Sequence, residues 1–71
     1  MAESVYKFIE LVGTSPESWE KAASVAVAQA AESLRDLRVA EVSQLDLALE
    51  DGKVKSYRAK VKVSFKYENH G

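Results

Sequence analysis

The 71-residue chain contains no cysteine. That absence removes disulfides, thiolate metal sites and cysteine nucleophiles together, and leaves a domain this small without a covalent or Cys₄-type staple. It has one histidine, His70, beside the last residue; chain ends are commonly poorly ordered, so a catalytic imidazole is not expected there. Gly13, Gly52 and Gly71 are too scattered for a phosphate-cradling loop, and the single proline rules out a Pro-rich linker. No nucleophile stands beside a base, so no enzyme is expected. No run approaches the ~20 apolar residues of a membrane-crossing helix, and Met1-Ala2-Glu3-Ser4 lacks the basic-then-apolar start of a signal peptide. A cytoplasmic location without membrane contact is the expectation.

With 46% apolar and 30% charged residues, the composition is that of one globular domain spanning residues 1–71, its core about 4–68. Below roughly 80 residues a single core seldom supplies more than ~3–5 kcal/mol, which makes self-association the expected remedy. The net charge of −1 hides a split. Residues 1–51 carry ten acids against four bases, and residues 52–71 six bases against one acid.

Val5 to Val12 is rich in β-branched and aromatic residues and stops at Gly13, which predicts a first strand. Helix signals follow: Ser15 as N-cap with Pro16 at the first helical position and Glu17 on the positive end of the dipole, or Thr14 with Glu17 as a capping box. Trp19, Ala22, Ala23, Ala26, Val27, Ala30, Leu34 and Leu37 recur at three- and four-residue spacing, predicting a helix of about six turns. Arg38 to Leu49 reads as a second strand whose apolar phase slips between Val42 and Leu45, predicting a bulge or sharp bend near Ser43-Gln44. Asp51-Gly52 suits a two-residue type I′ hairpin. The third strand puts Tyr57, Ala59, Val61, Val63, Phe65 and Tyr67 on one face, and Arg58, Lys60, Lys62 and Lys66 on the other. The order is β-α-β-β, in an α+β fold, and a wholly antiparallel three-stranded sheet packed on one long helix then needs the strand order 1-3-2. Its two open edges are a second motive for pairing with other copies.

The segments VYKFIELVGTSPESWEKAA, LRDLRVAEV and YRAKVKVSFKYE, in this order and spacing over nearly the whole chain, resemble the dodecin family. The resemblance implies a subunit of a hollow, non-enzymatic homododecamer of cubic symmetry that stores small ligands, in many members flavins. Flavin-binding members usually place a Trp near the start of the second strand, in a pattern like L-R-W-F-E-V, and a Gln after the aromatic that opens the third strand. Here those positions hold Val39, with no π face, and Arg58, which donates but does not accept, next to Tyr57. The flavin-site equivalents Val39, Tyr57 and Arg58 are thus degenerate. The segments RVA and SWE are closer to a branch that lacks this Trp and has been associated with calcium, and so calcium is expected ahead of flavin.

Calcium takes six to eight oxygen ligands, commonly carboxylates and carbonyls. Glu32 and Asp36, four apart near the expected helix C-terminus, repel each other and the dipole there, and a cation would relieve both; Arg35 and Arg38 offer a plainer neutralisation. Asp46 is either a ligand or the partner of a lysine on the third strand. Trp19 is expected to serve core or interface packing with Val61, Val63 and Phe65. Six cations on or beside the third strand raise nucleic-acid binding. Glu10, Glu41 and Asp46 on the flanking strands, and a pI near 5.8, argue against that partner.

Overall fold

The computed structural model describes residues 3–67; His70 and the end of the expected core at residue 68 lie outside the described residues. The elements are β1 (Tyr6–Ser15), α1 (Trp19–Ser33), β2 (Leu37–Glu50) and β3 (Lys53–Lys66). The sheet has the order β1-β3-β2 with both pairings antiparallel, as the strand arithmetic requires.

β1 does not stop at Gly13 but runs on to Ser15. Gly13 sits opposite Ala59 and directly beneath α1, with Ala22 and Ala26 above it, so the glycine serves helix–sheet approach rather than a turn. With Thr14 and Ser15 inside the strand, neither caps the helix. The cap is Ser18, whose Oγ accepts from the Lys21 N–H at 3.0 Å. The buried Ser15 accepts from the Glu17 N–H at 3.0 Å, which holds the bend around Pro16 ahead of the helix. Ser18→Ala is expected to cost about 1 kcal/mol by leaving a first-turn N–H unpaired, read as a lower urea midpoint with an unchanged slope.

α1 is 15 residues long, about four turns rather than six. Leu34 donates to the Ala30 carbonyl at 2.9 Å but is already extended. Asp36 then takes a left-handed backbone, φ 59°, and turns the chain into β2. Leu34 and Leu37 still pack against the core, so the apolar periodicity continues past the point where the helix ends.

β2 bulges between Val42 and Gln44. The extra residue, Ser43, donates its hydroxyl to the Lys60 carbonyl at 3.3 Å. The bulge resolves the phase slip: Ala40 and Val42 before it pair with Val63 and Val61, and Leu45 and Leu47 after it pair with Ala59 and Tyr57. All four therefore share the helix side of the sheet. Asp51 (φ 53°) and Gly52 (φ 75°) are both left-handed, as a type I′ turn needs.

Among the described residues the fully sheltered core is six small residues, Ala22, Ala26, Ala30, Ala59, Val61 and Val63. Phe65 is half-buried and Tyr67 exposed. A helix of 15 residues is ~22 Å long, whereas β3, at 14 residues, reaches ~46 Å. The subunit is accordingly drawn out to 54 × 20 × 17 Å, and much of the sheet extends beyond its helix.

Candidate binding surface on the open sheet face

Since Ala59, Val61 and Val63 point at α1, the alternate residues of β3 point away from it. The register fills in the rows of this open face. Thr14 and Asp46 flank Arg58, Glu10 and Glu41 flank Lys62, and Phe8 and Val39 flank Ser64. Charged rows at Arg58 and Lys62 thus give way to the apolar flanks of Ser64 on a surface that no helix covers.

Arg58 donates from Nε to Asp46 Oδ1 at 2.7 Å and from Nη2 to Oδ2 at 3.4 Å. This hydrogen bond, and then the charge of Asp46, raises the guanidinium pKa above its ordinary value. The partner of Asp46 is therefore an arginine, not a lysine, and the same contact ties up the residue at the amide-equivalent position. Val39 stands 62% exposed and presents only its two methyls. Within one chain Val39 and Arg58 do not meet. Val39 pairs with Ser64, six residues along β3 from Arg58, or ~20 Å at strand rise. Tyr57 faces the other way, toward the helix side. A ligand touching all three would have to lie between copies.

Trp19 and Tyr57 form the contact that the sequence did not reveal. The indole Nε1 donates to the Asp46 carbonyl at 3.0 Å, and its ring meets Tyr57 edge-on, centroids 5.2 Å apart at 78°. Trp19 thus pins the first turn of α1 across β2 and β3. Spacing alone could not have located the carbonyl it reaches. Lys62, although set between two glutamates, holds its Nζ 4.9 Å from the Phe8 ring centre. The ion pairs among the described residues are Arg58–Asp46 and an exposed Lys55–Glu50 contact at 3.6 Å.

Glu32 lies in the last turn of α1 and Asp36 beyond its end, so the two do not stack on one helical face. Among the described residues no three acidic or imidazole side chains converge as a metal site, and no helix is long and apolar enough to cross a membrane.

A protein-family model described as Dodecin matches residues 5–68. The chain is 51% identical over 63 residues to the calcium dodecin of Mycobacterium tuberculosis, covering 89% of each sequence. It is 41% identical over 64 residues to the dodecin of Thermus thermophilus, covering 90% of this chain and 93% of that one. Among solved structures, dodecin from Streptomyces coelicolor superposes with a TM-score of 0.88 at 36% identity, covering 97% of this chain and 99% of the other. The M. tuberculosis calcium dodecin, described as calcium chelating with a novel calcium-binding site, superposes with a TM-score of 0.81 at 49% identity, covering 96% and 97%.

Proposed function

The chain belongs to the dodecin family, and on that premise we propose that it is a non-enzymatic subunit of a twelve-copy shell that holds small ligands, with calcium ahead of flavin. The observation that carries this order is Val39: on the open face, where flavin-binding relatives are expected to stack an indole, it offers an exposed aliphatic side chain. The relationship to a calcium dodecin supports the cation. Arg58, held by Asp46, further weakens the flavin reading. Self-association is supported by the six-residue core and by the sheet's length beyond its helix.

Because no acidic trio forms within one chain among the described residues, a calcium ion would collect its oxygens from several copies around a symmetry axis. Glu32 and Asp36, both exposed and outside the ion pairs described, are the carboxylates we assign to it. Asp46, already engaged by Arg58, is the weaker candidate. Calorimetric titration of the intact assembly with calcium is expected to give a saturable heat that disappears in Glu32→Gln/Asp36→Asn. Absence of calcium heat in the unaltered protein, together with quenching of riboflavin fluorescence, would reverse the order of the two ligands.

A further inference from the structure

The tip of the β2–β3 hairpin carries a reactive pair. Asp51 is the one aspartate of the chain followed by glycine, since Asp36 and Asp46 each precede a leucine. Asp51 and Gly52 are both exposed, and a Cβ built on Gly52 would meet no atom within 4 Å. Among the described residues the Asp51 carboxylate enters no ion pair, and neighbouring Glu50 takes Lys55. In a two-residue turn the closing bond runs from the N–H of the fourth residue to the carbonyl of the first, here Lys53 to Glu50, which leaves the Gly52 N–H outside the ladder. We propose that Asp51-Gly52 is a site of covalent self-modification, at which the aspartyl residue converts through a succinimide into isoaspartate in the folded protein.

The atoms balance without a co-reactant other than water. The Gly52 amide nitrogen attacks Cγ of the Asp51 carboxyl, forming an N–C bond and closing a five-membered ring. The carboxyl hydroxyl and the amide proton leave together as water, and nothing is oxidised or reduced. Water then opens the ring at either carbonyl. Opening at Cγ restores aspartate; opening at the former main-chain carbonyl leaves the chain running through Cβ and Cγ, with the α-carboxylate as the side group. Glycine matters because it has no Cβ to obstruct the nitrogen's approach. The reaction also needs a tip that flexes without unzipping the sheet. A register shift between Ala48 and Leu49 sets the last two pairs, Leu49 with Val54 and Glu50 with Lys53, apart from the rest of the ladder. Leu49 is 64% exposed and Val54 50% exposed, so opening these pairs uncovers little apolar surface, the mark of a low-stability segment. The product joins Glu50 to Lys53 by a loop one main-chain atom longer, at unchanged mass. Because loop length fixes hairpin register, the pairing of Leu49 with Val54 is lost with it.

Ageing the full, folded chain in neutral buffer for weeks tests this, with tryptic digestion and electron-transfer fragmentation, which distinguishes the β-linked residue. Isoaspartate is expected to accumulate at Asp51. Asp46, which lies in the same tryptic peptide, precedes Leu47 and is held by Arg58, is expected to stay aspartate. Asp51→Asn keeps a residue suited to the left-handed position and expels ammonia instead of water, the easier departure, so its peptide is expected to convert sooner and to gain the amide-to-acid mass difference. Aspartate that persists at residue 51 in the folded protein, and isomerises only after unfolding in guanidinium, would overturn the proposal by showing that the turn holds the nitrogen away from Cγ. Equal conversion at Asp46, or no faster conversion in Asp51→Asn, would overturn it too.

Discussion

Replacing Gly13 by alanine is expected to cost about 3 kcal/mol, the upper end of the range for overpacking. That is nearly all that a core of this size supplies. The added Cβ would overlap the carbonyl oxygen of Ala22 and stand 3.0 Å from the Cβ of Ala26. The first obstacle is helix backbone, which has no rotamer to change. Elsewhere in a strand, glycine to alanine gains stability by removing unfolded-state freedom; here the collision decides the sign. Relief requires α1 to lift from the sheet, and since Ala22 and Ala26 are two of the six buried core residues, lifting it opens the core. Urea unfolding measures the loss directly, as a midpoint shift. A midpoint equal to that of the unaltered chain would mean that the helix does not lie on Gly13.

Val39→Trp is expected to raise riboflavin affinity roughly five- to hundredfold, the effect of ~1–3 kcal/mol of stacking on one aromatic ring. The site tolerates the larger side chain. Val39 is exposed on the open face of an edge strand, so the indole meets no core atom, and the Ser64 hydroxyl contact is to the Val39 carbonyl rather than to its side chain. Quenching of riboflavin fluorescence gives the affinity. An unchanged affinity would locate the loss at Arg58, which a second change, Arg58→Gln, would then address by returning an acceptor to that position. Because this also strips Asp46 of its partner, the two substitutions are best compared singly and together.

Strand order, hairpin and bulge were all legible in the sequence, because each is dictated by local chemistry or simple periodicity. Asp51-Gly52 is one of few residue pairs that accept two left-handed positions, and the slip between Val42 and Leu45 calls for a bulge or a sharp bend, of which the chain forms the bulge. The helix limits were not legible, and the reason lies in particular residues. Thr14, Ser15 and Ser18 all qualify as caps by type; the choice among them follows from the closeness of α1 to Gly13, a tertiary fact. Leu34 and Leu37 continue the helical stripe because the linker and the next strand bury side chains on the same core. Periodicity reports which side is buried, not which backbone carries it. The misplacement also joined Glu32 and Asp36 on one helical face, whereas Asp36 belongs to the turn after it. For the open face, the alternation of β3 placed Arg58 opposite the core strand residues correctly. That Asp46 engages Arg58 rather than a lysine depended on the register of β2, which the bulge resets by one residue.

The junction of Trp19 with Tyr57 and the Asp46 carbonyl has an optical consequence. Trp19 is the chain's one tryptophan, so ultraviolet emission excited at the red edge comes from a single place. That place is where α1 begins and where the strand pair crosses beneath it. With the indole N–H bonded to a backbone oxygen and about a third of the residue exposed, wavelength and anisotropy of the emitted light report the state of that corner alone. The protein carries a built-in lamp at the joint between its helix and its longest strands.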